Sequence, residues 1–161
     1  MFVSNSDTLL EIAQVLRAWV PLLHLKLLRV LTIGRKCKVE CILPLFSTHA
    51  KVLFDPGSTH SFVSCAFAKN HDKSPELLDF ELSVSTPVGD TLMTNLVLMS
   101  CVICIEDREL LADLVLLDMH DFVVILGMDW LAFYHASVHC FEKEVVFKPP
   151  GEKVNMIRDR L

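Results

Sequence analysis

The apolar run Val52-Leu53-Phe54 ends in an acid, Asp55, which is followed by Pro56-Gly57 and two hydroxyl residues, Ser58 and Thr59. A carboxylate at a strand end, beside a glycine whose N–H can approach it, is held in one orientation, as general acid and base work requires. The same Asp-Pro-Gly sequence also makes an ordinary tight turn with no chemistry. His60 reads as a solvent-facing turn residue, because no serine or cysteine nucleophile stands at a spacing that would use it. A second apolar run, Phe122-Val123-Val124-Ile125-Leu126, leads into Gly127 and then Met128-Asp129-Trp130-Leu131. Gly127 permits close approach of another backbone. Asp129 is a rival carboxylate, but an acid at the start of a helix has a structural rationale in capping and in the helix dipole.

The elements that would position these residues are short. After Gly34 the texture changes from helix-like spacing to apolar runs separated by turn residues, the pattern of a small all-β domain. The runs are Lys38 to Phe46, Ala50 to Phe54, Phe80 to Ser85, Leu92 to Ile105, Leu110 to Leu117, Val123 to Leu126, Ser137 to Phe141 and Val145 to Phe147. Two short helical pieces are expected, around Ser64 to Asn70 and from Met128 to His135. Thr86-Pro87-Val88-Gly89-Asp90 reads as a hairpin tip, with Gly89 able to take positive φ. From Lys148-Pro149-Pro150-Gly151 onward the periodicity is lost, which predicts a linker or tail over 149–161. The extension over 1–34 is expected to be helical or poorly ordered, its Leu9 to Ile33 stretch forming an amphipathic helix broken at Pro21.

Composition narrows the functional classes. Hydrophobic residues make up 52% of the 161 and charged residues 22%, enough apolar side chain for one packed domain. A net charge of -5 without a cluster of Lys and Arg argues against a nucleic-acid partner. Glu11, Arg17, His24, Lys26 and Arg29 interrupt the N-terminal apolar stretch, which argues against a membrane span. The six cysteines, at 37, 41, 65, 101, 104 and 140, are expected to be free thiols of an intracellular, cytoplasmic protein. Cys101 and Cys104 form a C-x-x-C inside one strand, where alternation puts the thiols on opposite faces, so no metal is expected.

Taken together and in order, Asp55-Pro56-Gly57, the glycine-tipped Pro87-Val88-Gly89 and Ile125-Leu126-Gly127-Met128-Asp129-Trp130-Leu131 resemble the retropepsin-like aspartic proteases of plant gypsy-class retrotransposon gag-pol polyproteins. Tyr134-His135-Ala136 and Cys140-Phe141-Glu142-Lys143 are similar to the segment that follows in that family. The resemblance covers roughly Lys38 to Phe147. It implies a mainly β fold, a closed retropepsin-like barrel with one short C-terminal helix, in a protease domain over 35–148. It further implies that Asp55 is catalytic, that Pro56, Gly57, Ser58 and Thr59 form the active-site turn, and that Thr86, Pro87, Val88 and Gly89 form a flap over an extended peptide. Ile125, Leu126 and Gly127 would then pass behind the turn as support.

The implied activity is that of an aspartic endopeptidase with no cofactor. Two Asp55 carboxyls, one from each subunit of a homodimer, would share a proton and activate a water to cleave polyprotein peptide bonds. Pro56 stands where the family has Ser or Thr, and it lacks both the hydroxyl and the N–H that would interlock the two turns. Ser58 and Thr59 remain available to hydrogen-bond the Asp55 carboxylate. The competing reading is a catalytically inactive remnant that serves as a dimerisation or binding module.

Overall fold

The computed structural model describes residues 30–32, 37–120, 122–148, 150–151 and 155–158. Along the chain these form β1 (Val30–Thr32), β2 (Val39–Leu45), β3 (Thr48–Phe54), β4 (Phe62–Ser64), α1 (Cys65–Ala68), β5 (Glu76–Ser85) and β6 (Thr91–Ile105). There follow β7 (Arg108–Leu117), β8 (Val124–Leu126), α2 (Met128–Phe133), β9 (Ala136–His139), β10 (Glu144–Phe147) and β11 (Asn155–Arg158).

Period-two burial is clearest in β2, where Val39, Cys41, Leu43 and Leu45 are buried and the residues between them are not. A strand with one face wet reads this way. β3 ends differently, with Val52, Leu53, Phe54 and Asp55 all buried, because both of its faces are covered at that end. Val52 and Phe54 join the larger core with Val124, Leu126, Leu114 and Trp130, whereas Leu53 joins a second cluster with Phe62, Ile125, Leu82 and Val84. The stem of the β5–β6 hairpin therefore packs through Leu82 and Val84 on the strand residues that precede Asp55 and Gly127.

The strands close a ring in the order β6, β2, β3, β8, β4, β7 and back to β6, and β5 and β1 extend the sheet from β6. This is a mainly β fold with a closed six-stranded barrel. β8 is the strand on which the site depends. It pairs parallel with β3, Phe54 opposite Leu126, and antiparallel with β4, Phe62 opposite Ile125. The loop of residues 55–61 must then cross the end of β8 to pass from one neighbour to the other. β6 pairs with both β5 and β7, and a register shift between Leu98 and Cys101 separates its two halves.

Several expectations need correction. Phe62–Ser64, absent from the strand-length runs picked out in the sequence, is a strand whose three residues are all buried. The first helical piece is limited to Cys65–Ala68, with the Ser64 hydroxyl accepting from the Phe67 N–H at 3.1 Å as its N-cap. The segment expected as tail contributes β11, which lies antiparallel to β10 with Glu144 opposite Arg158, and Arg158 Nε is 3.2 Å from Glu144 Oε2. The helix expected over the N-terminal extension lies outside the described residues, apart from Val30–Thr32, which is a strand parallel to β5.

The cysteines are not all free. Cys37 and Cys140 form a disulfide with Cα atoms 5.2 Å apart across a sequence separation of 103. Local spacing could not show it, because the barrel and the β9–β10 hairpin bring the two ends of the domain together. Cys41, Cys65, Cys101 and Cys104 are not disulfide-bonded. Cys101 is buried opposite Ala112 while Cys104, opposite Glu109, is half-buried, so the C-x-x-C thiols do face opposite ways. Burial pushes the Cys101 thiol up to about 12, where it stays protonated and unreactive.

A cross-link spanning this much chain restricts the unfolded state strongly. Cys140→Ser should lower stability by about 2–5 kcal/mol in urea unfolding. Alkylation of the denatured, unreduced parent should count four thiols, and six after reduction; six before reduction would rule out the bridge.

Candidate active site

Asp55 is the residue at which β3 stops, and its backbone is still held by the sheet: its N–H donates to the Leu126 carbonyl at 3.0 Å. The next residues turn at once, Ser58 N–H donating to the Asp55 carbonyl at 3.0 Å. Pro56 is the second residue of that turn, where its locked φ suits the geometry and its missing N–H costs nothing. The Gly57 N–H donates to Asp55 Oδ1 at 2.9 Å, fixing the carboxyl within a side chain that is 0% exposed. On the other carboxyl oxygen, Lys38 Nζ lies 3.7 Å from Oδ2.

The Ser58 and Thr59 hydroxyls make other contacts. Ser58 Oγ donates its one hydrogen to the His60 carbonyl at 2.8 Å, bracing the loop from inside. Thr59 Oγ1 lies 3.1 Å from His60 Nδ1 at the surface. The backbone of Gly57, not a side-chain hydroxyl, orients the aspartate.

Beneath this loop runs Gly127. Its backbone is extended, so the glycine is required for space and not for conformation. A Cβ there would fall 2.8 Å from the Ser58 carbonyl oxygen and 2.7 Å from the His60 carbonyl carbon, with the His60 oxygen closer still. Met128 N–H donates to the Ser58 carbonyl at 2.8 Å, and Gly127 N–H donates to Ser61 Oγ at 3.1 Å. Ile125 and Leu126, flanked by β3 and β4, complete the floor.

Ser61 is the residue sequence reasoning missed. Its hydroxyl accepts from Gly127 and donates to Asp129 Oδ1 at 2.7 Å, while its N–H donates to Asp129 Oδ2 at 3.1 Å and its carbonyl accepts from Val115 N–H at 3.0 Å. Asp129 also accepts from the Trp130 N–H at 2.7 Å, so it both serves the first turn of α2 and ties that helix to the loop. A serine leading directly into an apolar pair, Ser61-Phe62-Val63, was the available signal. Although Asp129 is exposed as a residue, the protein around its carboxyl pushes the pKa above the ordinary value; the Ser61 hydroxyl, the Trp130 N–H, the nearby His60 and the Ser61 N–H pull the other way. Because the folded value is raised, this group's contribution to stability is complete below the ordinary carboxylate value and is lost as the pH rises through the raised one.

Trp130 fixes the helix from the other side. Its Nε1 donates to the Leu111 carbonyl at 3.1 Å, and its ring meets Phe54 at 6.0 Å and Tyr134 at 4.8 Å. Thr86, Pro87, Val88 and Gly89 stand apart, at the tip of the β5–β6 hairpin. There Gly89 N–H donates to the Thr86 carbonyl at 3.0 Å and Thr86 N–H to the Asp90 carbonyl at 2.8 Å, a three-residue loop closed by Gly89 at φ 98°. Val88 is 83% exposed, available to whatever the tip meets.

The profile of the family described as retroviral aspartyl protease matches residues 36–153. The chain belongs to that family. Among solved structures, the retroviral protease-like domain of Ddi1 from Leishmania major is similar at 8% identity with a TM-score of 0.57, over 78% of this chain and 98% of that one. The EIAV protease, in complex with the inhibitor HBY-793, is similar at 20% identity with a TM-score of 0.50, over 65% of this chain and 94% of that one. At these identities the two structures share the retropepsin-like fold. No curated protein sequence matches the chain.

Two substitutions separate space from polarity at this crossing. Gly127→Ala should destabilise by at least about 1–3 kcal/mol, since both neighbours it meets are backbone and cannot rotate away; an unchanged melting temperature would contradict the packing. Ser61→Ala should cost about 1–3 kcal/mol by orphaning the Gly127 N–H. It should also raise the Asp129 carboxyl midpoint further in an NMR titration, because the hydroxyl that holds it down is gone.

Proposed function

We propose that this chain is an aspartic endopeptidase acting as a homodimer in which each subunit supplies Asp55. The observation that carries the reading is the buried Asp55 carboxyl, oriented by the Gly57 N–H at a turn braced from below by Gly127. One carboxyl of this kind cannot both polarise a peptide carbonyl and deprotonate a water. Two across a two-fold axis can, because like charges that close retain one proton between them. The ionised partner then takes a proton from the water that attacks the scissile carbon, and the protonated one hydrogen-bonds the carbonyl oxygen. Pro56 does not disturb the orienting contacts inside the subunit, which use the N–H groups of residues 57 and 58.

The substrate in this reading is an extended segment of polyprotein, paired as an added strand with the flap backbone at Thr86 to Gly89. The motif order supports a plant gypsy-class retrotransposon origin and processing of a gag-pol precursor in the cytoplasm. Neither a nucleic acid nor a membrane is a partner, and no cofactor takes part.

A mixed peptide library incubated with the purified chain tests the reading. Cleavage should be blocked by a statine-type transition-state mimic and should follow a bell-shaped pH profile, falling in acid when the pair gains a second proton and in base when it loses its only one. Asp55→Asn should reduce turnover to background with little change in melting temperature. A tethered dimer with Asp55→Asn in one subunit should be as inactive as one with the substitution in both. Half activity in the singly substituted dimer, or full activity of Asp55→Asn, would place the chemistry elsewhere and leave the folded remnant as the reading.

A further inference from the structure

We propose that Lys38 is a charge-tuning, positioning residue of the active site, holding Asp55 in its ionised form and so setting the acid side of the cleavage profile. The cleavage half of this inference rests on the endopeptidase reading above; the electrostatic half does not.

The pairing register puts Lys38 there. Val39 lies opposite Phe54 at the end of the β2–β3 ladder, so the next residues outward, Lys38 and Asp55, face each other just past the last rung. On the far side Lys38 is anchored through Cys37, whose disulfide to Cys140 fixes the chain one residue earlier. The two Asp55 oxygens are thereby distinguished: Oδ1 receives the Gly57 N–H at 2.9 Å, and Oδ2 faces the ammonium at 3.7 Å. With the Lys38 side chain 25% exposed and that of Asp55 fully buried, salt screens the pair far less than it would a surface pair. Lys38 Nζ also lies over the Phe122 ring, 5.6 Å from its centre, which favours the charged amine and limits where it can go.

Among the described residues, other charged groups near the turn have partners of their own. Glu40 of β2 pairs with Lys51 of β3 at 2.9 Å, and Lys51 shares the Phe122 ring at 5.4 Å. His60 in the loop lies against Thr59 Oγ1 and acts on Asp129, which is in turn bound by Ser61 and Trp130. Lys38 is thus a cation set against the Asp55 carboxyl by the strand register itself. Burial favours the neutral acid, and an adjacent ammonium opposes this. In a dimer each carboxyl brings its own ammonium, so the doubly protonated, inactive form is reached only at lower pH.

Carboxyl-carbon NMR titration of the full chain tests this, with the Asp55 signal assigned by its loss in Asp55→Asn. In Lys38→Met the Asp55 midpoint should move to higher pH by on the order of one unit, while Lys38→Arg should leave it near the parental value. The acid limb of peptide cleavage should move the same way in the same variants. A residue that only supports the fold would lower activity with the limb in place. An unmoved midpoint in Lys38→Met overturns the inference whether or not the chain cleaves peptides. A moved midpoint in a chain that cleaves nothing sustains it and removes the endopeptidase reading instead. Should Lys38→Met fail to fold, Lys38→Gln, with similar reach and a polar tip, gives the same comparison.

Discussion

An aspartate at a strand end is only as well placed as the loop that leaves it, and here that loop is held by passing over Gly127 with no room for a side chain between the two backbones. The Ser58 and His60 carbonyls define the space, and Met128 and Gly127 answer with N–H groups to Ser58 and Ser61. Close approach and hydrogen bonding are the same event: the contact that excludes a Cβ is what brings the donors into reach. Without it the 55–61 loop would connect β3 to β4 around β8 with nothing beneath it.

Two carboxylates lie at the two ends of this loop and do different work because of what surrounds them. Among the described residues, Asp55 meets the Gly57 N–H on one carboxyl oxygen and the Lys38 ammonium on the other, which orients it without enclosing it in a set of hydrogen bonds to α2. Asp129 accepts from the Ser61 N–H and hydroxyl and from the Trp130 N–H, a set of bonds that turns an acid into a structural tie. The helix it belongs to is in turn pinned by Trp130 against Leu111 and Phe54. β3, the loop, the helix and β7 are thus one connected unit.

The alternating strands were legible because their pattern is local: β2, β3, β7 and β8 announce themselves by period two or by short apolar runs, and the hairpin at Pro87-Val88-Gly89 by its turn residues. What stayed hidden depends on partners far along the chain. Phe62–Ser64 is too short to alternate and becomes a strand because β8 and β7 flank it. Asn155–Arg158 is too short to show a period and is made regular by β10. Cys37 finds Cys140, Lys38 finds Asp55 and Ser61 finds Asp129 through the register and closure of the barrel, which no window of sequence contains. Ser58 shows the converse, since its place beside the aspartate left it available for a bond there while its hydroxyl turns inward to His60.

The bond between Ser61 and Asp129 joins residues 68 apart, and the parallel pairing of β3 with β8 cannot form from neighbours in sequence. Such long-range pairing is slow to reach, because the chain must close a large loop before the contact returns anything. On a ribosome the β2–β3 hairpin can form early, but the turn bearing Asp55 has no floor until the chain has been made past Gly127. The order of synthesis therefore acts as a timer: the growing chain is exposed to water well before the turn bearing Asp55 can be organised.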